Sequence, residues 1–573
     1  MGSIICPYEF DKNMNIRNIR SLLYSKQRTV LSAATLIMVM IVASRLLGLI
    51  RQRVLAHYFI PEDLSLFFAA FRLPDTIFEV LVFGTFASAF IPIFTKTLKE
   101  SKVKAWEVAG IIANWGGIIF LILAGIVFIF AHPIYRVLTP GFEITDQIKI
   151  ANLARILFIA QGFFVISYVL TAVLESSKRF FVPALAPLFY NLGIIIATIL
   201  LSTRFGLYAP VIGVVVGSFS HLLIQLPLAV KLGFRFKKSF EITPEVKKIA
   251  RLSLPRILEV SFLQVAKFVE LTLASIISIP AYTYFTFGNT IQLLPVGLFG
   301  TSIAKAALPT LSAQADDLPS FKKTLYETLN QVVFLMMPIV AFLIVARVPV
   351  VRLIFGTDIF TWNATVETSL VVSAFAIGIF SQAANSILAR SFYALHNTRT
   401  PVIISISTLT LNIVLDYILV VVYKLPVWSL AFAFSLSSII QSILLFILIT
   451  KKIHNGAKTN LYFPILKSII GGIISGGIMF FILKFFDKSV WIKKLSFISN
   501  LSLPFEKFVL DTRYTVNLFI LTAIVGSIGI IIYIVVLKIL KSKELETFVN
   551  LFKRMLIGQK FTTVADSAET VDN

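Results

Sequence analysis

Long apolar runs alternate with short polar connections along almost the whole chain. Runs at 30-50, 66-95, 108-131, 150-174, 181-202, 207-230, 250-279, 281-310, 324-346, 366-390, 401-423, 427-450, 463-485 and 514-540 each reach or exceed the roughly 20 residues that carry an α-helix across the hydrocarbon layer. No polar block large enough for a soluble catalytic domain separates them. The pattern predicts an all-α polytopic membrane protein with about 14 transmembrane helices.

Composition agrees. The 573 residues are 57% hydrophobic with a mean hydropathy of +0.89, more than a soluble core requires. The formal net charge of +23 would suggest nucleic acid in a soluble protein. Here most basic residues sit between apolar runs, so no nucleic-acid partner is expected. The N-terminal tail and every second loop are basic, from Arg17, Arg20, Lys26 and Arg28 through Lys178 and Arg179 to Lys538, Lys541 and Lys543. By the positive-inside rule they face the cytoplasm, as do both termini. The 487-513 loop breaks the alternation with Lys488, Lys493, Lys494, Lys507 and Arg513. Cys6 is the only cysteine, which excludes an internal disulfide and a cysteine-clustered metal site.

Internal repetition sets the expected architecture. Phe83-Gly84-Thr85 with a following Pro92 recurs as Phe299-Gly300-Thr301 with Pro309, and Pro133-Ile134-Tyr135-Arg136 recurs as Pro349-Val350-Val351-Arg352. Arg179 and Pro183 find a counterpart in Arg399 and Pro401. A nearly constant shift in the same order predicts two homologous six-helix lobes, 30-232 and 247-450, related by a pseudo-twofold axis along the membrane normal. A cytoplasmic tail at 1-29, two extra helices at 463-540 and a cytoplasmic tail at 541-573 complete the expected layout.

Ionisable residues inside apolar runs are the candidate chemistry, because each costs on the order of 2.5 to 3.5 kcal/mol at the bilayer centre unless it is paired or faces a wet cavity. Arg256, Glu259, Lys267 and Glu270 fall on one helical stripe spanning about 80°, and Arg72, Asp75 and Glu79 on another of about 60°. Interhelical ion pairs would explain such stripes. A central polar cavity is the preferred explanation, because each half contributes one stripe near its beginning, and Arg45 and Arg51 at the end of the first run favour an anionic group there, since a guanidinium offers a planar fork of donors to phosphate. Snorkelling to the interface is the alternative for Arg51 and Arg53. Gly48 and Gly84 are candidate sites of close helix approach, and Pro74, Pro295 and Gly300 candidate hinge positions. The five histidines lack metal-ligand spacing, and no nucleophile elbow, phosphate loop or acid–base carboxylate pair is present, so an enzyme is not expected.

Ser44-Arg45-Leu46-Leu47-Gly48-Leu49-Ile50-Arg51, Phe67-Phe68-Ala69-Ala70-Phe71-Arg72-Leu73-Pro74 and Ala87-Ser88-Ala89-Phe90-Ile91-Pro92 resemble the opening of the MurJ (MviN) family, the lipid II flippases of bacterial cell-wall synthesis. The likeness continues through Pro183-Ala184-Leu185-Ala186-Pro187, Leu294-Pro295-Val296-Gly297 and Thr398-Arg399-Thr400-Pro401. It implies the two-lobe fold of the multidrug/oligosaccharidyl-lipid/polysaccharide exporter superfamily and a groove for the lipid tail formed by the last two helices. It also implies a monomer in the bacterial cytoplasmic membrane that moves a lipid II-like substrate among membrane lipids by alternating access. Arg45 and Arg51 match cavity arginines of the family thought to hold the pyrophosphate, and no cofactor is implied beyond ion or membrane-potential coupling. Family acids and arginines are replaced here by Gln52, Ser65, Phe78, Phe83 and Asn289-Thr290. Export of another lipid-linked oligosaccharide or of a drug, and a non-transporting scaffold, therefore remain alternatives.

Overall fold

The computed structural model describes residues 30–83, 86–234, 239–453, 462–487 and 510–556. Within them the chain forms 18 α-helices, three π-helical segments and no strand. Twelve helical stretches are long and apolar enough to cross a membrane, from Lys102–Leu138 to Thr515–Ile539, and they coincide with the third to fourteenth expected spans. The first expected span lies partly outside the residues whose side chains are described; it falls in α1 (Val30–Tyr58), which carries Arg45, Arg51 and Arg53. The second run is divided into α2 (Pro61–Phe78), a π-helical segment Glu79–Phe83 and α3 (Phe86–Glu100).

The following helices are α4 (Lys102–Leu138), α5 (Ile144–Ser176), α6 (Phe181–Phe205), α7 (Tyr208–Leu232) and α8 (Pro244–Ile277). Their ends obey local chemistry. The Ser101 hydroxyl accepts from Lys104 N at the start of α4, and Thr243 caps α8 by accepting from Val246 N just ahead of Pro244, so orphan amides are satisfied. Gly233 ends α7 in the left-handed region at φ 111°, a conformation that costs little without a Cβ.

These helices belong to the first of two compact units, built from the chain up to Phe287 with Ile354–Thr365 and Ile413–Leu430. Tight helix approach organises it. A Cβ on Gly193 would lie 2.6 Å from Gly217 Cα, so small residues let α6 and α7 meet backbone to backbone. Between α5 and α7, His221 Nδ1 lies 2.6 Å from Ser167 Oγ, and the Gln225 amide donates to Ser167 Oγ at 2.8 Å. That buried network satisfies itself and explains the histidine without a metal. Helix α8 packs on α2, α3 and α4, and Lys104 at the start of α4 pairs with Glu245 at 2.7 Å.

The rest of the chain continues as α9 (Ala281–Pro295), a π-helical segment Val296–Thr301, α10 (Ser302–Ala313), α11 (Leu318–Val345), α12 (Arg347–Phe355), α13 (Trp362–Ala394) and α14 (Arg399–Tyr417). A third π-helical segment, Ile418–Val422, leads to α15 (Trp428–Lys452), α16 (Tyr462–Phe486), α17 (Thr515–Ile539) and α18 (Lys543–Leu556). The second unit comprises Gly288–Leu353, Val366–Asn412 and the chain from Ala431. In it α11, α16 and α17 pack together: the Tyr533 hydroxyl donates to Phe334 O at 2.8 Å, and Ser475 Oγ to Gly529 O at 2.7 Å. A Cβ on Gly300 would lie 2.7 Å from Ala383 Cβ, which brings the π-helical segment against α13. The two π-helical segments at 79–83 and 296–301 recur at the shift of the sequence repeat.

Candidate functional site

Helix α1 places Arg51, Gln52 and Leu55 along one side of a cavity of about 280 Å³ inside the first unit. Phe67, Phe68, Phe71, Arg72 and Asp75 from α2, Tyr190 and Ile194 from α6, and Tyr282 and Thr286 from α9 complete its wall. The apolar run of α2 is thus interrupted on one face only: Arg72 and Asp75, three apart, share it, while Leu64, Leu66, Ala69 and Ala70 are buried among neighbouring helices.

The charged groups are partly pinned. Arg72 hydrogen-bonds the Tyr282 side chain, and Gln161 Nε2 donates to Asp75 Oδ1 at 2.6 Å. The Tyr135 hydroxyl donates to Ala70 O at 2.8 Å, fixing α2 against α4 one turn before Pro74. Three buried polar atoms at the cavity have no hydrogen-bond partner in the protein: Arg51 Nε, Arg72 Nε and Gln52 Oε1. An unmatched buried donor or acceptor costs about 1–3 kcal/mol, so two guanidinium donors and one amide acceptor stand ready for a polar guest. Two arginines against the single carboxylate of Asp75 leave the lining cationic.

Next to the cavity lies a second constellation. Lys267 Nζ pairs with Glu79 Oε2 at 2.8 Å, and Gln264 Nε2 donates to the same oxygen. Glu270, one turn beyond Lys267 on α8, lies within electrostatic reach of Arg72 and Lys267. The stripes therefore divide their work: Arg72 and Asp75 line the cavity, and Glu79 and Lys267 form the interhelical pair.

Other expected residues are distributed differently. Arg45 is half-buried on α1 and is absent from the cavity wall; six residues before Arg51, it points about 120° away around the helix. The side chains of Arg256 and Glu259, and Gly84 altogether, lie outside the described residues. Gly48 has open space where a Cβ would stand, so close packing does not require glycine there. Pro74 is buried inside α2 ahead of the first π-helical segment. Pro295 directly precedes the second and Gly300 lies within it, and both belong to the second unit. Of the departures from the family pattern, Gln52 faces the cavity, whereas Ser65 is buried against Thr283, 2.9 Å between hydroxyl oxygens, and Phe78 packs on Phe164 and Tyr168.

Tyr190, Tyr282, Gln161 and Gln264 were missing from the sequence expectation. The two glutamines carry a signal, each being an amide inside an apolar run, to which the rule for intramembrane polar residues applies as it does to charges. The tyrosines carry none, since tyrosine is unremarkable in membrane helices.

No group of three or more His, Cys, Asp or Glu side chains suited to a metal occurs among the described residues. The chemistry on offer is anion binding by guanidinium groups among aromatic rings, in a space at the small end of ligand pockets. A family model described as "Lipid II flippase MurJ" matches residues 55–501. The chain belongs to this family.

MurJ-family relatives match across most of their length. A probable lipid II flippase MurJ of Borreliella burgdorferi is 25% identical over 469 residues, 81% of this chain and 91% of the relative. That of Bdellovibrio bacteriovorus is 27% identical over 463 residues, 78% and 87% of the two chains. Among solved structures, a lipid II flippase MurJ in an inward closed conformation superposes with a TM-score of 0.71 at 23% identity, covering 91% of this chain and all of the other. An inward-facing multidrug resistance MATE family transporter of the MOP superfamily gives 0.60 at 15% identity over 72% of this chain and 95% of its own. Both likenesses concern the fold, an all-α polytopic membrane architecture. The family is one of flippases, not of enzymes.

Proposed function

We propose that this chain is a lipid flippase that moves the undecaprenyl-pyrophosphate-linked peptidoglycan precursor lipid II across the cytoplasmic membrane by alternating access. Family membership supports the substrate class. The observation that carries the site is the pair of unpartnered buried guanidinium donors, Arg51 Nε and Arg72 Nε, facing one cavity. A pyrophosphate supplies the acceptors that these donors lack. A space of about 280 Å³ suits a diphosphate and excludes the sugar-peptide head, which must be held elsewhere.

Arg51 and Arg72 bind and orient the diphosphate, Tyr282 and Gln161 hold Arg72 and Asp75 in place, and the aromatic wall excludes water so that each charge-assisted bond is stronger. Gln52 contributes an acceptor without a charge, which keeps the wall cationic. The working layout is a monomer in the cytoplasmic membrane with both termini cytoplasmic. Lobes at 30-232 and 247-450 provide the alternating movement, and the helices within 463-540 receive the lipid tail. Membrane potential or an ion gradient supplies the drive. Arg45, Arg256 and Glu259 complete the anion path on this reading.

The test is growth of a bacterium depleted of its own lipid II flippase. Arg51→Ala and Arg72→Ala should abolish rescue while the protein stays inserted and folded, Arg51→Lys should rescue in part, and Arg45→Ala and Arg256→Ala should impair it. Full rescue by the Arg51 and Arg72 alanine variants at normal expression would overturn pyrophosphate capture by this cavity.

A further inference from the structure

The last helix, α18, has a role that the cavity does not explain. Its apolar positions 545, 548, 549, 551, 552, 555 and 556 fall within an arc of about 160° at 100° per residue, and its remaining positions are polar or charged. The chain reaches it from the membrane span α17 in three residues. Lys541 adopts the left-handed region at φ 51°, and Ser542 N donates to Leu537 O at 3.0 Å. This tight reversal starts α18 within about 10 Å of the end of the span. Its first turn folds back: Leu545 is buried in one cluster with Phe334, Tyr533 and Leu537. At the next two positions of that face, the described residues leave much of the apolar surface uncovered. The Phe548 ring centroid is 5.9 Å from that of Phe334, yet Phe548 is 48% and Val549 38% exposed.

We propose that α18 is a membrane-surface helix, its apolar face sunk into the headgroup boundary of an anionic leaflet beside α11 and α17. Continuity argues for lipid as the occupant. The face begins in a cluster shared with two membrane spans, and the surface that borders those spans is bilayer. Charge argues for anionic lipid: Lys538, Lys541, Lys543, Lys553 and Arg554 outnumber Glu544 and Glu546 between the end of α17 and the end of α18, and basic residues at an interface are drawn to acidic headgroups. The inference is independent of what the arginine cavity binds.

The full-length protein, with Cys6→Ser, is reconstituted in vesicles of acyl-brominated phosphatidylcholine with and without phosphatidylglycerol. Single cysteines replacing Phe548, Val549, Thr547 or Asn550 carry an environment-sensitive fluorophore. Probes at 548 and 549 should be quenched by the bromines and shielded from aqueous iodide, and those at 547 and 550 should show the reverse. Phosphatidylglycerol should deepen the contrast, and high salt or the triple change Lys538→Gln, Lys541→Gln, Lys543→Gln should cancel that gain. Equal iodide access at all four sites would overturn the proposal. So would shielding of 548 and 549 from both quenchers, which would mean that protein, another copy included, covers the face. The Val549 probe keeps the test valid if replacing Phe548 loosens its packing on Phe334.

Discussion

Gln52 is the residue at which this chain's cavity is most open to a decisive change. It is buried beside Arg51, and its Oε1 has no partner. A carboxylate in its place would sit within reach of a guanidinium and compete with any incoming anion. Gln52→Glu should weaken binding of undecaprenyl pyrophosphate about tenfold, roughly 1.4 kcal/mol, in a direct titration of the purified protein. Unchanged or tighter binding would show that the cavity's positive charge is not what holds the ligand. The Glu79–Lys267 pair calls for a different measurement. Both side chains keep about a third of their surface exposed, so screening limits the pair to about 1 kcal/mol. Lys267→Met should lower thermal stability by that order, and Glu79→Gln in the same chain should recover most of the loss. Strict additivity of the two single changes would mean that the ions do not interact.

At the scale of elements, the π-helical segments explain how a proline-rich apolar run crosses the membrane without being straight. A π turn inserts one residue into the helical register and re-aims the helix beyond it. Glu79 opens the first such segment, where it meets Lys267 on α8. Gly300 sits in the second, where the backbone approaches α13 so closely that a Cβ would lie 2.7 Å from Ala383 Cβ and 2.8 Å from its Cα. Gly300→Ala should therefore destabilise the protein by about 1–3 kcal/mol, the usual range for overpacking. Ala383→Gly should relieve it only partly, because the backbone of residue 383 would still crowd the new methyl group. Gly48→Ala is the matched control: with open space around its Cβ it should be neutral or stabilise α1 by up to about 1 kcal/mol. Melting curves in detergent rank the three, and equal effects at Gly48 and Gly300 would contradict the packing account.

For the whole molecule, the recurrence of the π-helical segments 79–83 and 296–301 at the repeat shift is what a duplicated six-helix unit predicts. In a cryo-electron microscopy map of the protein the helices of 30-232 should superpose on those of 247-450 with Phe83 and Phe299 at equivalent positions. Non-equivalent positions for that pair would refute the duplication.

The pattern of apolar runs was enough to determine the polytopic all-α class and the third to fourteenth spans, because hydrocarbon admits only segments that satisfy their own backbone. Motif spacing likewise identified the family, since Arg51, Arg72 and Pro74 stand in runs that carry the likeness over most of the chain. Helical periodicity put Arg72, Asp75 and Glu79 on one face, but periodicity describes a single helix and is silent about its neighbours. Only the tertiary structure decided that Arg72 and Asp75 open into a cavity while Glu79 turns to Lys267, and that Arg51 rather than Arg45 joins them. Tyr190 and Tyr282 come to that wall from helices far away in sequence. Their place is set by how α6 and α9 pack against α1 and α2, a long-range fact that no local pattern encodes.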